Sequence, residues 1–248
     1  MARCTTNEAI ALFLNRLVLR SSLGDAERAA VLELVKVSEI DDVERDFVRV
    51  GDRLSHACLV VDGMVARFAQ IQDGARSFVA LHIPGDLADL FSVVEPNVTW
   101  ALLALCPTRI LRIPHHTLRE LVERYPALGM AFWRDTVTDA NILAQWTVNI
   151  GRKDALASVA HLLAEMAMRH QANGLGSEKE YPFPITQADL ADAVALTPVH
   201  LNRVLKRLRE DNIAVKEANS VRILDFQRLA YLGEFDPAYL QLARDDRT

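Results

Sequence analysis

The sequence predicts an α+β protein in three parts: an N-terminal β-roll or jelly roll, one long helix, and a C-terminal winged helix-turn-helix. Three observations predict it. Between residues 43 and 113, short apolar runs are separated by Gly- and Asp-containing turns with no helical period between them, the pattern of a sandwich or jelly roll. From residue 126 to about 150, apolar residues recur at alternating spacings of three and four, as along one face of a long helix. From residue 186 onward, two short helix patterns with clear caps are followed by a pair of strand-like runs.

The elements follow in order. Residues 6–20 and 25–37 read as helices. The run 43–50 precedes Gly51 and Asp52, and 59–61 precedes Asp62 and Gly63. The runs 64–71 and 78–83 flank Gln72, Asp73, Gly74 and Ala75, and Asp-Gly between two strand-like runs is the strongest local hairpin signal a sequence offers. Pro84, Gly85 and Asp86 end this series. Residues 100–105 and 109–113 supply two more strands, and 117–124 a short helix stopped by Tyr125 and Pro126. Pro126 then fits the first turn of the long helix, where its missing N–H costs nothing, and Gly151 marks a stop.

Within that helix Met130, Trp133, Val137, Ala140, Ala144 and Thr147 form one stripe, the spacing of a coiled-coil seam between two copies of the chain. A helix packed on its own domain is the alternative. Beyond it, residues 154–170 place Leu156, Val159, Leu163 and Met166 on one face, and 171–180 read as a polar loop. The expected domains are 1–125 (β-roll with N-terminal helices), 126–150 (dimerisation helix), 151–224 (winged helix-turn-helix) and 225–248 (helical tail).

The segment 186–209 carries the most chemistry. Thr186 caps a helix to Val194, Ala195 and Leu196 make a turn, and Thr197 with Pro198 at the first helical position opens a second helix. That helix separates Leu201, Val204, Leu205 and Leu208 from His200, Arg203, Lys206 and Arg207. From His200 to Arg209 it carries Arg203, Lys206, Arg207 and Arg209 and no acid, in a chain of formal net charge −5. Positive charge gathered on one helix of an acidic protein marks a candidate DNA-reading face, with a solvated amphipathic helix as the alternative. Strand-like runs at 213–216 and 220–224, joined by Glu217, Ala218 and Asn219, supply a wing.

The chain has 248 residues, half of them apolar and a quarter charged, which excludes wholesale disorder and fits a globular protein. No apolar run approaches a membrane span, and Arg3, Glu8, Asn15 and Arg16 interrupt the stretch a signal peptide would need, so a cytoplasmic protein without membrane contact is expected. Cys4, Cys58 and Cys106 are too scattered for a disulfide framework or a zinc site. His56, His82, His115 and His116 show no ligand spacing, so no metal, cofactor or catalytic site is expected. The alternative from another class is a β-roll small-ligand-binding protein or metalloenzyme with a helical appendage.

Three runs carry a resemblance: Leu59-Val-Val-Asp-Gly-Met-Val65, His82-Ile-Pro-Gly-Asp-Leu87 and, most specific, Thr186-Gln-Ala-Asp-Leu-Ala-Asp-Ala-Val-Ala-Leu-Thr-Pro-Val-His-Leu-Asn-Arg-Val-Leu-Lys206. Over nearly its full length the chain is similar to the Crp/Fnr family of bacterial transcription regulators. The resemblance implies a β-roll sensor related to cyclic-nucleotide-binding domains, a homodimer, and double-stranded DNA and RNA polymerase as partners. It also implies DNA-contacting roles for Thr186, Thr197, Pro198, Val199, His200, Asn202, Arg203, Lys206 and Arg207.

Departures from the family pattern are informative. Members that bind cyclic AMP carry a Gly-Glu-Leu triplet and, further on, an Arg-Ser-Ala or Arg-Thr-Ala whose arginine pairs with the phosphate. Here Gly85, Asp86 and Leu87 resemble the triplet, and Val98, Thr99 and Trp100 align with the later segment. These five residues, Gly85, Asp86, Leu87, Val98 and Thr99, are the effector-pocket candidates, yet without the arginine a phosphate has no bidentate partner. Cyclic AMP is disfavoured, and three scattered cysteines cannot supply an iron–sulfur ligand set; the effector is unidentified, or there is none. Arg203 aligns with an arginine that contacts guanine, while Val199 stands where many members carry a cytosine-reading Glu, leaving His200 and Asn202 as replacement readers. Ala195 replaces a usual Gly, at a cost of about 1 kcal/mol if its φ is positive.

Overall fold

Helix α1 (Thr6–Arg20) starts on a reciprocal cap: the Thr5 hydroxyl accepts the Glu8 N–H (3.3 Å), and the Thr5 N–H donates to the Glu8 carboxylate (2.7 Å). Its inner face buries Ala9, Ile10, Phe13 and Leu17. Helix α2 (Asp25–Leu32) follows and tightens into a 3₁₀ turn at Glu33–Lys36. The computed structural model describes residues 4–242 apart from residues 71, 73 and 75, so Asp73 and Ala75 of the expected hairpin turn lie outside the described residues. The chain divides into two units, Met1–Phe68 with Leu81–Ala140 and Gln241–Thr248, and Ala69–Ala80 with Asn141–Leu240.

Among the described residues, seven strands form the β-roll: β1 (Glu39–Val43), β2 (Asp46–Val48), β3 (His56–Asp62), β4 (Val65–Gln70), β5 (Arg76–His82), β6 (Ala101–Ala104) and β7 (Thr108–Pro114). They make two sheets, ordered β1-β7-β3 and β2-β6-β4-β5. Strand β3 is buried on both faces, which is why it reads as an unbroken apolar run. Cys58 and Val60 enter the core of the roll with Val65, Leu102, Ala104 and Ile110. Ala57, Leu59 and Val61 face the other way, onto α1 and the helices after the roll.

The single strand expected over 43–50 is two strands, β1 and β2. Strand β1 begins four residues earlier than expected, because its Glu39, Asp41 and Asp42 read as a solvated loop. Their partners lie across the ladder, with Glu39 opposite Arg112, Asp42 opposite Arg109, and Asp41 paired to Arg112 at 2.5 Å.

Helix α3 (His115–Arg124) leads into α4 (Pro126–Arg152), with Pro126 in its first turn. Gly151 does not stop α4. A Cβ there would meet open space, and the break falls at Lys153, where Asp154 caps α5 (Ala155–Ala172) through the Ala157 N–H (2.8 Å). The remaining elements are β8 (Glu180–Pro182), α6 (Gln187–Ala193), α7 (Pro198–Glu210), β9 (Ala214–Lys216), β10 (Ser220–Ile223), α8 (Phe226–Leu232) and a 3₁₀ turn at Pro237–Leu240. Strand β8, which the sequence does not announce, pairs with β10 and makes the wing a three-stranded sheet, β8-β10-β9.

One buried ionic cluster organises the first unit. The Arg16 guanidinium on α1, 6% exposed, donates through Nη1 to Asp86 (2.5 Å), through Nε to Asp135 (2.6 Å) and through Nη2 to Asp139 (2.8 Å). Arg20 adds a second cation on Asp135 at 3.1 Å. Asp86 belongs to the turn after β5, and Asp135 and Asp139 sit one turn apart on α4. Substituting Arg16 by Met leaves buried carboxylates without their main partner and should cost about 3–5 kcal/mol of stability in urea unfolding. A loss below about 1 kcal/mol would show that water reaches the cluster.

Candidate nucleic-acid interface

The local chemistry of two threonines sets the helix-turn-helix. The Thr186 hydroxyl accepts the Asp189 N–H (3.1 Å) at the start of α6, and the Thr197 hydroxyl accepts the His200 N–H (3.2 Å) at the start of α7, where Pro198 occupies the first turn. Between the helices Ala195 has φ +52°, and Leu196 N–H closes back on the Ala191 carbonyl at 3.0 Å. This is a left-handed helix stop, a conformation that glycine adopts without penalty and alanine does not.

Helix α7 is divided cleanly. Leu201, Val204 and Leu208 are buried, whereas Val199, His200, Asn202, Arg203, Lys206, Arg207 and Arg209 are exposed. Lys206 and Arg207 touch Glu210 and Asp211 at 3.6 and 3.7 Å, exposed pairs too weak to hold the cations back from a polyanion. Arg203 has no acidic partner among the described residues. An open cleft of about 360 Å³ lies between the start of α5 and α7, bordered by Asp154, Leu156, His200, Arg203 and Arg207. An exposed arginine on such a helix can donate two parallel hydrogen bonds to guanine O6 and N7.

The wing has its own support. Lys216 lies over the Phe183 ring, 5.7 Å from its centroid, and its ammonium donates to the carbonyls of Glu217 and Ala218 at the tip. Burial pushes Lys216 down to about 8.

On α4 the stripe of Met130, Trp133, Val137, Ala140, Ala144 and Thr147 is exposed from end to end, and Trp133 is 66% exposed. The same helix buries Leu128, Ala131, Phe132, Ile142 and Trp146 on its other side. An apolar face of this length left bare on a long helix is unusual for a finished surface.

The five effector-pocket candidates stand in different surroundings. Gly85 (φ +89°) lies so close to α1 that a Cβ would sit 2.5 Å from Leu12 Cβ. Asp86 accepts the Ile83 N–H (3.0 Å) besides holding Arg16. Leu87 belongs to the core shared with the helices, Val98 to the core of the roll, and Thr99 is exposed. The acidic group set beside the roll core is Asp89, which the sequence does not single out. Its Oδ1 accepts the Cys58 N–H at 2.6 Å, its Oδ2 is buried without a hydrogen bond, and burial pushes it up to about 6. Spacing gives no signal for Arg16, Asp89 or Asp135, because their partners come from distant segments.

His82 and His115 are buried, and His115 bonds the Ser92 hydroxyl at 2.8 Å. His56 is half-buried and His116 exposed. Among the described residues no group of three or more His, Cys, Asp or Glu side chains could hold a metal ion, and no helix is long and apolar enough to cross a membrane.

Two families match the chain: the cyclic nucleotide-binding domain over residues 46–125 and the Crp-like helix-turn-helix domain over residues 157–232. It is 26% identical over 213 residues to the transcriptional activator protein FnrL of Cereibacter sphaeroides, covering 83% of this chain and 84% of that protein. It is 24% identical over 212 residues to the transcriptional activator protein FnrA of Stutzerimonas stutzeri, covering 86% of each. In fold it is similar to FixK2 from Bradyrhizobium japonicum, with a TM-score of 0.71, 24% identity, and coverage of 79% of this chain and 96% of that one.

The turn at Ala195 allows a direct check. Replacing Ala195 by Gly relieves the left-handed strain at an exposed position and should stabilise the protein by about 1 kcal/mol, read as an upward shift of the urea midpoint. A neutral or destabilising result would mean that the turn relaxes in solution to a negative φ.

Proposed function

The chain belongs to the Crp/Fnr family of DNA-binding transcription regulators, and from that premise we propose that it works as a homodimer reading a pseudo-palindromic site through α7. The observation that carries this reading is the division of α7: its apolar side is sunk into its own unit, and a capped, acid-free stretch bearing Arg203, Lys206 and Arg207 is left facing solvent. The exposed stripe on α4 supports the dimer, since pairing two copies along it buries Met130, Trp133 and Val137 on each. A two-fold dimer presents its recognition helices to successive major grooves, so the half-sites lie about one helical turn, ~10–11 bp, apart. A second copy, double-stranded DNA and RNA polymerase are the macromolecular partners in this reading.

Arg203 is the direct base reader, with His200 and Asn202 beside it. Val199 accepts no hydrogen bond and makes an apolar contact instead, which suits a thymine methyl. Lys206 and Arg207, further along the helix, are phosphate contacts. The signal is a ligand other than cyclic AMP, or the protein acts without one, because the apolar Val98 and the exposed Thr99 offer a cyclic phosphate no cation.

Binding titrations against a randomised palindromic library test the assignments. Arg203→Ala should cost about 1–3 kcal/mol per half-site and relax base preference at one symmetric pair of positions. Lys206→Ala should weaken all sequences alike and flatten the salt dependence by about one phosphate contact. Unchanged base preference in Arg203→Ala would remove that residue from direct readout.

The seam is tested separately. Val137→Glu places a charge in the middle of the stripe, and sedimentation at micromolar concentration should find monomers. A dimer there would move the interface to another face.

A further inference from the structure

A buried polar network in the second unit is not explained by base or phosphate contact. Glu165, fully buried on α5, collects three donors. Its Oε2 accepts Trp146 Nε1 from the end of α4 (3.0 Å) and the Tyr239 hydroxyl from the C-terminal segment (2.8 Å), and its Oε1 accepts Arg169 Nη1 (3.2 Å). The Tyr239 oxygen also lies 2.9 Å from His161 Nε2. The His161 Nδ1 lies 2.9 Å from Lys153 Nζ and 3.0 Å from the Gly233 carbonyl oxygen, to which Lys153 Nζ also donates (2.7 Å).

The result is a continuous polar network from Lys153 through His161 and Tyr239 to Glu165. Burial, and then the neighbouring Lys153 ammonium, push His161 down to about 4, which keeps the ring neutral at pH 7. Backbone packing adds a steric condition. A Cβ at Gly233 would lie 2.6 Å from His161 N and 2.8 Å from His161 Cα, so the end of α8 meets α5 flush only because residue 233 is glycine. Phe235 completes the seat, its ring edge-on to His161 with centroids 5.2 Å apart.

The geometry matters because of where these residues stand. Trp146 is in the last turns of α4, Lys153 occupies the turn between α4 and α5, and His161, Glu165 and Arg169 follow on α5, the helix that shares the cleft with α7. The C-terminal segment therefore braces the α4–α5 turn from outside the backbone. A swing of about 10° at that turn, acting over about 20 Å of helix, moves the far end by about 3.5 Å, one base-pair step.

We propose that the C-terminal segment from Gly233 to Leu240 is a positioning element that fixes the α4–α5 turn, with Tyr239 and Glu165 as its positioning residues, and that it thereby sets the half-site spacing the dimer accepts. The inference rests on the dimeric DNA-binding reading above. The stripe on α4 pairs the two copies, and the turn at its end aims each recognition helix.

The test uses the full-length protein and a series of DNA duplexes with one half-site sequence and spacers lengthened or shortened by single base pairs. The unaltered chain should prefer one spacer by about tenfold or more. Tyr239→Phe, which keeps the ring and removes the hydroxyl, should bring that ratio to about threefold or less while leaving base preference within the half-site unchanged. A purely structural role would lower the unfolding midpoint and leave the spacer ratio alone, and that result would overturn the proposal. If Tyr239→Phe fails to fold, Trp146→Phe cuts the same carboxylate from the α4 side and carries the same expectation. An unaltered chain that binds no palindromic DNA would overturn the dimeric DNA-binding reading and this inference with it. One that binds but ignores spacing would overturn this inference alone.

Discussion

A single guanidinium, that of Arg16, ties together segments that are far apart in the chain. It meets Asp86 from the turn after β5 and two successive turns of α4 at Asp135 and Asp139, all within 2.8 Å. Placing that much charge where water is excluded is costly, and mutual pairing is what makes it tolerable. The arrangement fixes more than α1. Because Gly85 lets α1 approach its backbone, the same helix covers the loop and supplies its counter-ion, so the position of α4 against the roll is set by directional contacts and not by apolar packing alone. Apolar packing tolerates sliding more readily than a three-pronged hydrogen-bonded fork does.

The second unit uses the opposite arrangement, with one carboxylate at the hub and donors converging on it. Glu165 draws Trp146, Tyr239 and Arg169 from two helices and the C-terminal segment. Both hubs reach α4, Arg16 through Asp135 and Asp139 and Glu165 through Trp146. Within each unit, the part of α4 that carries exposed apolar residues on one side thus meets buried charge on another. This is consistent with the proposed use of the stripe as a seam, because a seam transmits geometry only if the helix bearing it is held in one rotational setting.

The proposed reading face depends on smaller effects. Two threonine caps of about 1 kcal/mol each and the proline in the first turn define where α7 begins. Leu201, Val204 and Leu208 define which way it rolls. The left-handed turn at Ala195 works against the first of these, a local strain that the surrounding packing overrides. The wing is steadied by a lysine that satisfies two carbonyls of its own turn and lies on Phe183, so its tip does not rely on strand pairing alone.

What the sequence determined by itself was everything written in local spacing. The helices at 6–20 and 126–150, the capped pair opening at Thr186 and Thr197, and the division of α7 into apolar and basic sides follow from periodicity and cap chemistry, which act within a few residues. Strand β1 escaped because its acidic side chains are matched by arginines on β7, and β8 because three residues carry too little pattern. The stop expected at Gly151 was a local rule overruled by the continuing helix. The hubs at Arg16 and Glu165 were illegible for a deeper reason. A buried charge is tolerable only beside partners that the fold brings from far along the chain, and Arg16 to Asp135 spans 119 positions. Tertiary structure alone decided that Asp86 turns to an arginine, that Asp89 stands beside the roll core, and that the C-terminal segment grips α5, the helix beside α7.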